Sequence, residues 1–291
     1  MDQNDFLINS VFHPSDFSEG DETAFAHALK IAHALSAELC LLHVREPMEK
    51  SYWADFPHVR DTLKHWGVDG NTAQPEAALK SGGLDNFKVE IAGSDPVRTI
   101  LDFVQRHCFD LIVLATHQRQ GFDRWLHRNL AEKIARRSGE LTLFVPRDSE
   151  GFVSRETGDL KLRHILVPVD LLPHPQAAID AAVAFANALD APALELTTVH
   201  VANEDSDETP RVTLPETSGW LCQRMTRAGD PVQEILATAR ELEPDLIVMA
   251  TAGHQGFLDM IRGSATERVL RESPCPLLAV QAFDAETGLG V

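Results

Sequence analysis

The segment Asp110-Leu-Ile-Val-Leu-Ala-Thr116 recurs further along the chain as Asp245-Leu-Ile-Val-Met-Ala-Thr251. Each copy is a short, almost continuously apolar run introduced by an aspartate. Such runs are typical of strands that a parallel α/β sheet buries on both faces. A chance match of this length is improbable, so the repeat predicts two copies of one fold within the chain.

Further matches extend the repeat over whole secondary structure elements. At the same offset of 135 residues, Asp95-Pro96-Val97 matches Asp230-Pro231-Val232. Nearer the start the offset is 157 residues, the distance between His43 and His200. The first half therefore contains about 22 additional residues within positions 45–88. Part of this insertion, residues 56–66, has apolar spacing that suits a helix.

Chain length agrees with a duplication, because 291 residues is close to twice the size of an ordinary domain. Residues 147–163 are polar and of mixed charge, which predicts an exposed connection with the boundary near Gly158. We therefore predict one domain over residues 1–150 and a second over residues 159–285.

Each half has the order strand, helix, strand. In the second half, an apolar strand over residues 165–169 precedes Ile179, Ala182, Val183 and Ala186, which lie on one face of an amphipathic helix. The predicted fold is therefore α/β, with two doubly wound, parallel-sheet, Rossmann-like domains in tandem. Ligands of such sheets bind beyond the carboxyl ends of the strands, which are here residues 168–170, Val201 and residues 250–253.

Composition excludes several classes of protein. The 44 acidic and 26 basic residues give a net charge of -18, which disfavours binding to nucleic acid and to anionic membranes. The amino terminus has no secretory signal pattern, and no apolar run approaches the ~20 residues that span a bilayer, so we predict a cytoplasmic protein. The four cysteines form no CxxC pair, which argues against a zinc site or a disulfide framework.

A glycine motif follows the second copy of the repeated strand. Gly253 is separated by nine residues from Gly263-Ser264, and the chain then continues into a helix and Ser273-Pro-Cys-Pro276. This half resembles the universal stress protein family, whose nucleotide-binding members carry GxxG, nine residues, and Gly-Ser or Gly-Thr. Ala250 stands at the first glycine. The resemblance covers both halves almost end to end and implies the adenine-nucleotide alpha hydrolase-like fold.

The resemblance implies an adenine-nucleotide site in the second half, for ATP or AMP, with Mg²⁺ as an optional companion of the nucleotide. Gly253 and Gly263 allow the backbone to approach phosphates closely, and Ser264 precedes a helix amino terminus, which favours an anion. A turn and a helix cap that serve the fold alone are the alternative interpretation. The nucleotide-binding residues carried over from the family pattern are Pro168, Val169, Asp170, Val201, Met249, Ala250, Gly253, Gly263, Ser264, Ala265 and Thr266.

The first half has lost this motif. Gln118, Arg128 and Asn129 stand where the second half has Gly253, Gly263 and Ser264. We expect no nucleotide there, with Asp16 and Val44 retained as parts of the fold. The alternative is that the Arg128 guanidinium holds a phosphate.

The resulting functional hypothesis is a stress-response regulator that binds a nucleotide and acts on an unknown protein partner. No GxSxG elbow or acid–base pair is recognisable, so no enzyme is predicted. The family resemblance implies that the last strands, residues 141–145 and 277–280, pair within the chain, and a further homodimer is possible. Two alternatives stay open: slow ATP hydrolysis or autophosphorylation at Ser264 or Thr266, and a nucleotide-free interaction scaffold.

Overall fold

A computed structural model of the chain describes residues 7–51, 53–68, 84–116, 141–171, 175–191, 194–202, 209–216, 219–252 and 265–282. The predictions on Gln118, Arg128, Asn129, Gly253, Gly263 and Ser264 lie outside these residues, as do the side chains of Ala265 and Thr266.

The first half alternates strands with helices, as the sequence predicts. The helix predicted within the insertion is present and shorter than expected. The elements are β1 (Ser10–Pro14), α1 (Glu22–Leu35), β2 (Glu38–Arg45), α2 (Val59–His65), β3 (Asn86–Ala92), α3 (Pro96–His107), β4 (Leu111–Thr116) and β5 (Leu141–Pro146).

The second half repeats this order without a counterpart of α2 among its described residues. Its elements are β6 (His164–Pro168), α4 (Gln176–Ala188), β7 (Glu195–Ala202), β8 (Leu221–Ala228), α5 (Pro231–Leu242), β9 (Leu246–Ala252), α6 (Ala265–Glu272) and β10 (Leu277–Ala282). No helix in the described part of the chain is long and apolar enough to cross a membrane.

The ten strands of the described residues form one sheet, in the order β3-β2-β1-β4-β5-β10-β9-β6-β7-β8. Each half contributes five parallel strands with the doubly wound order, so the predicted fold class is confirmed. The halves join where β5 and β10 pair antiparallel, with Leu143 opposite Leu278. The pairing of the last strands that the family resemblance implies is therefore present.

The aspartates that introduce the repeated segment have a structural role. Asp110 Oδ2 accepts hydrogen bonds from the backbone N–H groups of Asn9 (2.8 Å) and Ser10 (3.0 Å), at the start of β1. Asp245 Oδ2 accepts equivalent bonds from Arg163 (2.7 Å) and His164 (2.9 Å), at the start of β6. In each half one carboxylate therefore aligns two neighbouring parallel strands, which accounts for the repetition of the aspartate.

Both faces of the sheet carry a buried apolar layer that continues across the two halves. One layer contains Leu29 of α1 and Phe185 of α4. The opposite layer contains Ile100 of α3 and Leu236 of α5. Because each layer is shared, the two halves bury their apolar surface together rather than as separate cores.

The connection between the halves differs from the prediction. Residues 147–163 were expected to be exposed, yet Phe152, Val153 and Leu162 are fully buried. The segment folds back on itself through an antiparallel bridge between Val153 and Leu160. The prediction of an exposed connection is wrong because three apolar residues, scattered among charged ones, are sufficient to anchor this short segment in the shared core.

Candidate functional site

The candidate site lies at the carboxyl ends of the second-half strands. β6 pairs with both β7 and β9, so the residues that end these three strands are neighbours in the sheet. This arrangement brings together the end of β6 at Pro168, Val201 on β7 and Ala250 on β9. The strand order reverses between β6 and β9, which is where doubly wound sheets bind their ligands.

One backbone hydrogen bond and one from a histidine side chain position the segment that follows β6. The Val169 N–H donates to the carbonyl of Val199 at 2.9 Å. His200 Nδ1 donates to the carbonyl of Val169 at 3.1 Å. Val169 and Met249 are buried, whereas Pro168, Val201 and Ala250 are partly exposed. The Val169 and Met249 side chains belong to the buried layers on the two faces of the sheet, whereas Pro168, Val201 and Ala250 are partly accessible at the strand ends.

Asp170 places a carboxylate at this candidate site. Its side chain is exposed, and Oδ1 accepts a hydrogen bond from the Leu171 N–H at 2.7 Å. Among the described residues, no cation pairs with this carboxylate. The Leu171 side chain beside it is 42% exposed. An apolar side chain and an accessible carboxylate are therefore adjacent at the end of β6.

The first half reproduces the same backbone geometry. The Ser15 N–H donates to the carbonyl of Leu42 at 2.8 Å, and His43 Nδ1 donates to the carbonyl of Ser15 at 2.8 Å. His43 and His200 therefore have the same structural role, since each donates to a main-chain carbonyl at the end of the neighbouring strand. In the part of the chain that the structure describes, no group of three or more His, Cys, Asp or Glu residues could hold a metal ion.

The side chains around the first-half aspartate are different. Arg147 Nη2 lies 2.5 Å from Asp16 Oδ2, and Nη1 donates to Ser18 Oγ at 2.8 Å. The Ser18 hydroxyl and N–H both donate to Asp16 Oδ1, at 2.6 and 3.0 Å. The Arg147 side chain is only 9% exposed. The carboxylate of Asp16 is therefore paired within the chain, whereas Asp170 has no such partner in the part of the chain that the structure describes.

An aromatic cluster lies beside this ion pair. The rings of Phe17 and His43 stack at 4.0 Å between centroids, and Phe56 packs edge-on against Phe17 at 5.0 Å. Phe56 is fully buried and belongs to the insertion, while Trp53 packs against its ring at 5.3 Å. The insertion therefore packs Phe56 and Trp53 next to the strand ends of the first half.

The first-half strand β1 also contains a buried histidine, His13, beside a buried aspartate. His13 Nδ1 lies 3.0 Å from the carbonyl of Val113, and Nε2 lies 3.3 Å from Asp21 Oδ2. Burial, the largest single cause, would lower the pKa of His13, but the charge and hydrogen bond of Asp21, the Val113 carbonyl and the charge of Asp16 together raise it, and the net shift is upward. The equivalent position in the second half is Val167, which is buried and apolar.

Sequence reasoning found Asp16 but missed its partners. Arg147 is distant from Asp16 in sequence, and an arginine next to a polar connection carries no signal that distinguishes it from a surface residue. The contact of Ser18 with Asp16 was easier to predict from the sequence, because an Asp-x-Ser pattern is typical of a turn in which the aspartate side chain bonds to the backbone. The packing of Phe56 depends on the insertion, whose path cannot be deduced from the repeat.

The topology and the strand-end geometry define a duplicated, doubly wound α/β protein. A model of the universal stress protein family matches residues 10–146 and 222–281, which is more than half of the chain. The chain therefore belongs to the universal stress protein family.

Individual relatives agree with this assignment. A universal stress protein of Methanocaldococcus jannaschii is 42% identical over 53 residues, which are 18% of this chain and 31% of that protein. Universal stress protein A homolog 1 of Coxiella burnetii is 29% identical over 141 residues, covering 40% of this chain and 95% of that protein. The match to the Methanocaldococcus protein thus spans about a third of that relative's length.

The tandem architecture also occurs in solved structures. A universal stress protein from Archaeoglobus fulgidus superimposes with a TM-score of 0.60 at 19% identity, over 97% of this chain and 99% of that chain. A putative universal stress protein from Pseudomonas aeruginosa gives a TM-score of 0.58 at 15% identity, over 95% of this chain and 94% of that chain. At these identities the similarity shows the fold.

Proposed function

We propose that this protein binds one adenine nucleotide, ATP or AMP, at the strand ends of its second half, and that the bound state acts on a partner protein. The observation that carries this proposal is the contrast between Asp16 and Asp170. Both follow β-strands with the same main-chain geometry, but among the described residues Asp16 is paired with Arg147 and Asp170 with no arginine. The exposed carboxylate of Asp170 supports a ligand-binding role at that position.

The residues of the second half suit the chemistry of an adenosine. A ribose presents hydroxyl donors, and the Asp170 carboxylate is an accessible acceptor. The partly exposed Pro168 and Val201 offer apolar surface to the base. If Mg²⁺ accompanies the nucleotide, Asp170 is the carboxylate that would supply an oxygen ligand.

The phosphate side of the site is proposed from the family motif. α6 begins at Ala265, directly after Ser264, so the motif leads into a helix amino terminus. Unpaired N–H groups and the helix dipole attract anions at such a position. We therefore assign Ala250, Gly253, Gly263, Ser264, Ala265 and Thr266 to the ribose and phosphates.

We further propose that the protein acts by binding and not by catalysis. Nucleotide occupancy would stabilise one arrangement of the site, and the partner would recognise that arrangement. The strands that join the two halves, β5 and β10, already pair with each other. Any homodimer would therefore use a different surface. The cytoplasmic location remains a prediction from the sequence.

Equilibrium dialysis of the full chain against ATP with Mg²⁺, and separately against AMP, tests the proposal. We expect one nucleotide bound per chain. Asp170→Ala should weaken binding about tenfold or more, because a hydrogen bond to a charged group contributes about 1.5–3 kcal/mol. Glu150→Ala, which removes an exposed carboxylate in the connection between the halves, is the matched control and should bind as the wild type does.

Failure of both nucleotides to bind would refute the proposal, as would unchanged affinity in Asp170→Ala. Turnover of ATP that disappears in Asp170→Ala would replace a binding role with an enzymatic one.

A further inference from the structure

His27 of α1 holds the connection between the two halves. Its Nδ1 donates to the carbonyl of Thr23 at 2.7 Å. Its Nε2 accepts hydrogen bonds from the N–H groups of Phe152 at 3.0 Å and Val153 at 3.3 Å. Since a ring nitrogen that accepts a hydrogen bond carries no proton, these contacts require the neutral imidazole with its proton on Nδ1.

The His27 ring is buried and closely packed by neighbouring residues. His27 is fully buried, and the Phe152 ring packs edge-on against it at 4.5 Å. Gly151 has a φ of +66°, and a Cβ at this position would lie 2.2 Å from His27 Cε1. Only glycine therefore allows the segment to approach the ring so closely.

The same contact links the two halves. The Phe152 ring also packs edge-on against Phe185 of α4, at 6.2 Å between centroids. Phe152 thus lies between a histidine of the first half and a phenylalanine of the second. Detachment of Phe152 from His27 would remove a direct connection between α1 and α4.

Charged groups on the elements that pack around His27 do not favour its protonation. They either pair with other residues or lie at the surface, and none contributes to the pKa of His27. Of these groups, Asp21 contacts His13 and Ser15, Glu22 pairs with Arg155, Asp180 accepts from Gln176, Lys30 is partly exposed, and Asp148 and Glu150 are exposed.

We propose that His27 is an acid-sensitive latch: protonation of Nε2 places a donor against the N–H groups of Phe152 and Val153 and releases residues 151–153 from α1. The chain would then keep its paired strands but lose the contact that joins α1 to α4 through Phe152. Loss of this contact would loosen the two halves relative to each other.

The expected size of the effect follows from the two states of the ring. Burial lowers the pKa of His27 from 6.5 to about 4, with a smaller opposing contribution from the carbonyl of Thr23. A ring released to solvent would titrate near 6.5, so the released state binds the proton more tightly. Acidification from pH 7 to pH 5 should therefore raise the population of the released state about 20-fold.

Hydrogen–deuterium exchange of the full chain at pH 7, 6 and 5 tests this latch, after correction for the intrinsic exchange rate at each pH. We expect the amides of residues 151–153 to lose about 20-fold in protection relative to those of β7. An unchanged ratio, within about threefold, would overturn the proposal. A parallel loss of protection in both regions would also overturn it, because the whole fold would then be opening.

A variant assigns the effect to the ring. His27→Gln offers an amide oxygen that can accept the same hydrogen bonds and does not titrate in this range. Its exchange ratio should be independent of pH between 7 and 5. A wild-type pH response in His27→Gln would contradict the role of His27, and if this variant does not fold, the wild-type profile alone decides.

Discussion

The ends of β1 and β6 have the same backbone and different side-chain surroundings. In both halves the residue after the strand's proline donates to β2 or β7 and accepts from a histidine, His43 or His200. In the first half Asp16 is paired with Arg147, whereas Asp170 is exposed. The comparison shows that the same main-chain geometry can place one aspartate in an internal ion pair and leave the other exposed.

Three structural features distinguish the strand end of the first half from that of the second. Arg147 pairs with Asp16, Phe56 of the insertion packs against Phe17, and His13 stands in place of Val167. None of these contacts has a counterpart among the described residues of the second half. Because these contacts bury groups at the position where doubly wound sheets bind ligands, they stabilise the first half and close its strand end.

The largest expected effect is at Phe56. Phe56→Ala should lower the free energy of unfolding by about 4 kcal/mol, because it removes a fully buried ring and leaves a cavity. Denaturant unfolding monitored by circular dichroism measures this change. Trp53→Ala is the control, since Trp53 is 56% exposed and should lose markedly less. Equal losses would mean that the insertion does not seal the strand end through Phe56.

The two aspartates provide the sharpest matched pair. Asp16→Ala leaves the nearly buried guanidinium of Arg147 without its carboxylate and should destabilise the protein by about 3 kcal/mol. Asp170→Ala removes an exposed side chain and should change the stability of the ligand-free protein by less than about 0.5 kcal/mol. Denaturant midpoints at constant m-value report both. Similar losses in the two variants would remove the distinction between the halves.

The buried His13 gives a smaller effect that depends on pH. A raised pKa means that the folded state holds this proton more tightly than the unfolded state does. The stabilisation is therefore complete below pH 6.5 and is lost as the pH rises through the raised pKa. His13→Val copies the second half, and its free energy of unfolding should decline less than that of the wild type between pH 6 and pH 9. Identical declines would show that His13 does not bind the proton.

The fold could be predicted from the sequence because the repeat identifies residues that have the same structural role in both halves. Asp110 and Asp245 align neighbouring strands, and Asp95 and Asp230 cap α3 and α5 by accepting from the N–H groups of Arg98 and Gln233. These are local or strand-to-strand contacts whose residue types recur in both halves. At these positions the repeated aspartates share a structural role, whereas the repeated aspartates Asp16 and Asp170 have different side-chain surroundings.

Contacts that occur in only one half could not be predicted in the same way. The Asp16–Arg147 pair and the burial of Phe152 depend on how the connection folds back, and the repeat contains no second copy for comparison. The sequence did place Pro168, Val169, Asp170, Val201 and Ala250 near the strand ends, because a doubly wound topology fixes where the strands finish. Met249 was predicted from the family resemblance.

Thermal unfolding with and without ATP and Mg²⁺ tests the central claim most directly. Wild type, Gly263→Arg and the matched first-half variant Arg128→Gly would be compared at the same nucleotide concentration. At a hundred times its dissociation constant, a ligand that binds only the folded state adds about 2.7 kcal/mol. The account predicts that wild type and Arg128→Gly are stabilised while Gly263→Arg is not. Stabilisation that persists in Gly263→Arg, or that is absent from the wild type, would contradict a nucleotide site in the second half.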